Sequence, residues 1–148
     1  MNDTVTILTT ATGKYITKAF RGPHYQAVQF NPGSEFLVNQ IPVNNLESLA
    51  AVISELETEP TKAVTRGSLI KDPIGPVPRN KDTFASLPRQ WCMIDIDSLA
   101  WDGAFDNQQA LVAHAVQHLP NEFQSSKCWY HFSSSMGIKA GIRVHLWY

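Results

Sequence analysis

Cysteine, net charge and long hydrophobic runs are all scarce in this chain of 148 residues. Its two cysteines, Cys92 and Cys128, are too few for a disulfide framework. Both lie in apolar runs, where cysteine packs as a small hydrophobe, and this usage points to a reducing compartment. A formal net charge of -1 gives no global attraction for polyanions, so any nucleic-acid contact has to come from a local patch. The N-terminus, MNDTVTILTTATGKY, has neither a basic start nor a long apolar stretch. Neither an export signal nor a membrane span is therefore expected there, the cytoplasm is the default compartment and no membrane is expected as a partner. No internal repeat or low-complexity tract is present.

What the chain does have is a hydrophobic fraction of 43%, typical of a folded domain, and enough length for one core without disulfides or a structural metal. The run TVTILT at 4–9 is β-branched and reads as a first strand, with shorter strands expected at 26–30 and 35–41 among loops marked by Gly13, Gly22, Pro23, Pro32 and Gly33. Leu46, Leu49, Ala50, Ile53 and Leu56 recur at helical spacing and predict a helix over 44–57, with Asn44 as its cap, Glu47 three residues on and Pro60 beyond its end. KAVTRGSLI at 62–70 predicts a strand turning at Gly67, with Arg66 at the strand's end. The proline-rich stretch 71–88 is either an ordered loop or a flexible connection.

From residue 90 the pattern is β-α-β-β. A strand at 90–96 is followed by a helix from Asp106, its expected cap, to about Leu119, where Pro120 stops it. Val112, Ala115, Val116 and Leu119 are expected to line its buried face. The segments KCWYHFSS and GIRVHLWY then flank the loop SSMGIKAG as an antiparallel hairpin beside the first of these strands. The chain stops inside RVHLWY, with no turn or polar tail, and reads as a fragment of something longer.

The segment WCMIDID at 91–97 mounts two carboxylates on an apolar strand, with Trp91, Cys92, Met93, Ile94 and Ile96 expected in the core. Side chains alternate in a strand, so Asp95 and Asp97 share one face, about 6.6 Å apart at the backbone, opposite Cys92, Ile94 and Ile96. Carboxylates at that separation can bracket Mg²⁺ or Mn²⁺, which prefer oxygen ligands and relieve the repulsion between the two charges. The pair is equally compatible with a strand end that faces water or caps a turn, and it is shared by several enzyme classes. On the last strand, Arg143 and His145 share a face, opposite Ile142, Val144, Leu146 and Tyr148. Ser133 shares a face with His131 on the partner strand, and Ser134, Ser135, Gly137 and Lys139 follow in the loop. Hydroxyls, a lysine, a guanidinium and an imidazole so grouped suit an anion such as a triphosphate, although each has a plain structural reading taken singly. Trp91, Trp129 and Trp147 read as core residues before base-stacking platforms.

MIDID followed by SSSMGIKAGIRVHLWY resembles the archaeo-eukaryotic-type primase superfamily, especially the primase-polymerase domains of phage and plasmid replication proteins. The likeness is specific over 91–148 and loose over 1–90, where VTRGSLI and PRNKDTF carry it. It implies an α/β (α+β) fold with a mixed or antiparallel sheet and flanking helices. In that fold 1–90 would form an N-terminal α/β subregion and 91–148 a catalytic β-α-β-β subregion, partly like an RNA-recognition motif. It further implies a template-directed nucleotidyltransferase, a DNA primase or primase-polymerase, in a bacterial cell or phage-infected host. Its substrates would be nucleoside triphosphates on a single-stranded DNA template, with a fused or separate helicase as partner. Asp95 and Asp97 would hold Mg²⁺ or Mn²⁺ and His145 would bind the triphosphate, aided by Ser133, Ser135, Lys139 and Arg143. Arg66, Arg79 and Lys81 would contact nucleic acid. The family's third acidic residue is missing, since none follows Tyr148. Two other readings compete. One is a DNA-binding module with the same fold but no catalysis, using a basic strip of Lys62, Arg66, Lys71, Arg79, Lys81 and Arg89. The other is a dehalogenase-type phosphatase with Asp95 as nucleophile and Asp97 as acid, disfavoured by the SLAW that follows the pair.

Overall fold

The nearly unbroken β-branched residues of the first strand, Thr4, Val5, Thr6, Ile7, Thr9 and Thr10, stiffen the chain into an extended form, and that strand is the centre of the N-terminal half. The structure, a computed structural model, describes residues 3–21, 24–28 and 30–148. It is an α+β fold whose paired strands are all antiparallel among the described residues, and it divides into two compact units, Met1–Gln90 and Trp91–Tyr148. Each unit buries its own residues, where the sequence suggested a single core. No helix among the described residues is long and apolar enough to cross a membrane.

In chain order the first unit contains β1 (Asp3–Thr10), β2 (Ala19–Arg21), β3 (Gln26–Val28), β4 (Glu35–Val43), α1 (Leu46–Leu56), β5 (Lys62–Thr65), β6 (Ser68–Leu69), β7 (Val77–Pro78) and β8 (Phe84–Ala85). Its main sheet has the order β5-β1-β4-β7, and β2-β3 and β6-β8 form two small hairpins. Val5, Ile7 and Leu8 of β1 are buried, as are Val43, Leu49 and Ile53. The strand expected at 35–41 runs on through Pro42 to Val43. Its far edge meets β7 only at Glu35 and Phe36, so a residue without an N–H is tolerated there. The strand expected at 26–30 is paired only through Val28, and Gly22, Pro23 and Gln29 lie outside the described residues.

The cap of α1 is Asn45, one residue later than expected. Its side chain accepts from the Ser48 amide at 2.8 Å, while Ser48 Oγ accepts from the Asn45 and Asn44 amides at 3.1 and 2.9 Å. Ser48 rather than Glu47 completes the capping box because it sits three residues after the true cap. The proline-rich stretch is ordered: β7 and β8 pin it, and Asn80 Oδ1 accepts from the amides of Asp82 and Thr83 at 3.0 Å each.

The second unit comprises β9 (Met93–Leu99), α2 (Gln108–Gln117), α3 (Asn121–Gln124), β10 (Trp129–Phe132) and β11 (Ile142–Trp147). The three strands form one sheet of order β10-β11-β9. Leu111 and Ala115 of α2 pack on Ile142, Val144 and Leu146 of β11, all at most 1% exposed. Each buried Leu, Ile or Val there contributes on the order of 1.5–3 kcal/mol. Val112, Val116 and Leu119 join this core only partly, while Leu111, outside the expected face, is its main helical contribution. Asn107 caps α2 in place of the expected Asp106, accepting from the Ala110 amide at 3.0 Å. The helix ends at Gln117, and Pro120 begins the short α3.

Two residues expected in the core are not there. Cys92 is exposed, at the end of the sheet beside Tyr148, whose backbone it bonds in both directions at 3.0 Å. Met93 is 42% exposed because it has the parity of Asp95 and Asp97, on the side that α2 does not cover. Trp91 and Trp147 are buried against one another, with ring centroids 5.8 Å apart, and Trp129 is half-buried.

Candidate nucleotide and metal site

One face of the three-stranded sheet is apolar and covered by α2; the other carries the charged residues together with Trp129 and Trp147. β11 is the central strand, so its side chains have neighbours on both sides. Across the open face, Met93, Trp147 and Trp129 form one row and Asp95, His145 and His131 the next, with Asp97 opposite Arg143 in a third. Strand alternation therefore brings Asp95, Asp97, Arg143 and His145 together. The carboxylates remain open, with side chains 60% and 66% exposed.

Each of these carboxylates has a partner on β11. His145 Nε2 lies 3.3 Å from Asp95 Oδ1, and Arg143 Nη1 bonds Asp97 Oδ1. Arg143 Nη2 also donates to Ser98 Oγ, whereas its Nε is buried without a partner. Ser98 is the extra residue of a bulge: pairing steps from Leu99 opposite Ile142 to Asp97 opposite Arg143, and Ser98 takes a left-handed φ of 70°. Bulges of this kind re-aim neighbouring side chains, and a non-glycine residue in that region stores strain. Gly141, with φ 78°, lies against the same turn, and a Cβ there would come within 2.6 Å of the Leu99 carbonyl oxygen.

The loop between β10 and β11 is ordered by its own hydroxyls. Ser133 and Ser135 bond through their Oγ atoms at 2.9 Å, the Ser133 amide donates to the Arg143 carbonyl at 3.0 Å, and the Ser135 carbonyl accepts from the amides of Ile138 and Lys139. Gly137 supplies the positive φ, 73°, that the turn requires. Ser133 thus stands beside the Arg143 position. Lys139 is exposed in the turn, and its ammonium makes no ion pair among the described residues.

A histidine given no role by the sequence reading completes the middle row. His131 Nε2 lies 2.7 Å from His145 Nδ1, and the Trp147 indole donates to His131 Nδ1 at 3.3 Å. Burial first, and the nearby His145 second, hold the His131 pKa down to about 4. The available signal was parity: His131 and Ser133 share a face, but pairing with His145 depends on hairpin register.

Oxygen donors from two open carboxylates match the preference of Mg²⁺ and Mn²⁺. Among the described residues no group of three His, Cys, Asp or Glu converges as a metal cage. Asp95 and Asp97 could hold such a cation only with phosphate oxygens or water in its remaining positions.

The basic strip of the first unit is smaller than the sequence suggested. Arg66, Arg79 and Lys81 are exposed, but Lys62 pairs with Glu59 at 3.5 Å. Arg89 is withdrawn from the surface, its side chain only 4% exposed and held by Asp3 at 2.8 Å. Comparison with protein-family models, with curated proteins and with solved structures finds no match to this chain.

Proposed function

We propose that the chain is the nucleotidyltransferase domain of a primase-polymerase, joining nucleotides on a single-stranded DNA template. The observation that carries this reading is the open face on which Asp95 and Asp97 stand directly across from His145 and Arg143, acids and anion-binding groups within one residue's reach. Asp95 and Asp97 are the ligands for Mg²⁺ or Mn²⁺, and a cation bound there would offset the charge that builds on a triphosphate as a 3′-hydroxyl attacks its α-phosphorus. His145 donates from Nε2, which now faces Asp95, to a phosphate oxygen. Arg143 is the second cationic contact, and Ser133 and Ser135 offer hydroxyls at the mouth of the loop. Lys139 supplies charge from the exposed turn, and Arg66, Arg79 and Lys81 contact the template.

The test is synthesis from labelled nucleoside triphosphates, ribo- and deoxyribo- in parallel, on single-stranded DNA with Mn²⁺. Product should form with the full-length protein and vanish with Asp95→Asn or Asp97→Asn. Synthesis unchanged by either substitution would refute the metal assignment. DNA binding that survives the double change Asp95→Ala, Asp97→Ala but is lost in Arg66→Ala, Arg79→Ala, with no synthesis by the wild type, would assign a pure DNA-binding module instead.

A further inference from the structure

The middle row of the open face, together with Trp147 from the row beside it, is a chain of four groups with a unique direction. Its starting point is the Trp147 indole, which can only donate. Trp147 Nε1–H meets His131 Nδ1 at 3.3 Å, so that nitrogen is an acceptor and the proton of the neutral ring sits on Nε2. His131 Nε2 is 2.7 Å from His145 Nδ1, which must then accept, leaving the His145 proton on Nε2. That Nε2–H faces Asp95 Oδ1 at 3.3 Å. One unambiguous donor at the head therefore fixes both histidine tautomers. The head itself is buried: Trp147 is 4% exposed and packed against Trp91.

We infer that His131 is a positioning residue: together with Trp147 it locks His145 in the tautomer that carries its proton on Nε2, aimed at the place where a triphosphate oxygen would compete with Asp95. The burial that resists charging of His131 supports this, because a protonated His131 could not accept from the indole. A free neutral imidazole divides its population between tautomers and ring orientations. Here the donor is set before any ligand arrives, so neither ordering entropy nor reorientation is lost on binding. The inference rests on the triphosphate-binding role given above to His145, although the tautomer itself does not depend on that role.

Long-range ¹H–¹⁵N correlation spectra of the free protein read the tautomer directly. In the wild type, His145 should show a protonated Nε2 and an unprotonated Nδ1; the reverse pattern would overturn the inference without any variant. The discriminating pair is His131→Phe, which keeps a ring against Trp129 and Trp147 but removes the donor, and His131→Gln, which keeps an N–H donor but loses the ring. With folding of each checked by thermal unfolding, affinity for a Mn²⁺–dNTP complex at fixed neutral pH should fall about 10- to 100-fold in His131→Phe, the equivalent of one lost hydrogen bond to a charged ligand. His131→Gln should recover most of it. If His131 merely fills space, the order reverses, with Phe tolerated and Gln damaging, and the inference fails. Failure of the functional reading looks different: the wild type would not bind the nucleotide complex, or His145→Ala would bind it as well as the wild type. The role given to His131 would then fall too, while the spectra still decide the tautomer.

Discussion

Asp3 and Asp97 are each paired with an arginine, Arg89 from a loop and Arg143 from the neighbouring strand, yet the two pairs are built to opposite ends. Asp3 is nearly sealed, with side-chain exposures of 9% for the acid and 4% for Arg89. Its oxygens accept from the amides of Thr4 at 2.7 Å and Gln90 at 2.6 Å, and Arg89 also reaches Thr4 Oγ1, Thr6 Oγ1 and the Arg66 carbonyl. Asp97 is 66% exposed, and beside it Asp95 is 60% exposed. A carboxylate whose acceptor positions are filled by the protein holds the chain together. One that keeps open positions beside a second acid, an arginine and a histidine has capacity left for a ligand.

The sharpest way to break this contrast is to delete each pair in turn. Arg89→Ala leaves Asp3 buried without its counter-ion and should cost about 3–5 kcal/mol of unfolding free energy in urea titrations. Asp97→Ala removes a largely solvated carboxylate but leaves Arg143, whose side chain is 11% exposed, without its acid, and should cost less, about 1–2 kcal/mol. Comparable losses from the two substitutions would show that the open pair is as structural as the sealed one.

A smaller effect tests whether the bulge beside Asp97 is held in place. Gly141 has a positive φ, and its Cβ position lies 2.6 Å from the Leu99 carbonyl oxygen, a contact with backbone that no side-chain rotation can relieve. Gly141→Ala should therefore destabilise the fold by about 1–3 kcal/mol and shift the Ser98 and Asp97 amide resonances. Gly137→Ala, with φ 73° but open space around it, should cost less and leave those resonances in place. Equal behaviour of the two glycines would mean that the bulge does not depend on the approach of residue 141.

Strand parity made much of the second unit legible from its residues. Ile142, Val144 and Leu146 separate by parity from the two acids of MIDID, and the structure puts them on the covered and open faces accordingly, with Trp147 on the side of the acids. The same parity placed Met93 with the acids, but the unbroken apolar run obscured it. The caps missed by one residue because Asn44 and Asn45, like Asp106 and Asn107, are adjacent capping types, and only local geometry chooses between them. The His131–His145 bond depends on a register fixed by the intervening loop, and Arg89 meets Asp3 across 86 positions of chain. No local pattern encodes either. That is why a basic strip read from the sequence lost Arg89, and why the middle row of the site gained a histidine.

Acid provides the finest probe of the sealed pair. Burial pushes the Asp3 carboxyl up, but the Gln90 and Thr4 amides and the Arg89 guanidinium outweigh it and hold the pKa below the ordinary 3.8. A depressed pKa means that the unfolded chain takes up this proton more readily than the folded one. The contribution of Asp3 is therefore fully present above the unfolded value and is lost as pH falls from there through the folded one. His131, whose pKa is also held down, adds its own acid sensitivity, so total stability against pH does not isolate Asp3. The difference between wild type and Asp3→Asn does, because His131 is common to both. That difference should be constant from neutral pH down to about 5 and shrink below about 4, where the unfolded chain begins to take up the proton. A gap that stays level to the acid limit would mean that the charge of Asp3 contributes nothing and that its bonds from the Gln90 amide and the Arg89 guanidinium hold whether or not it is ionised.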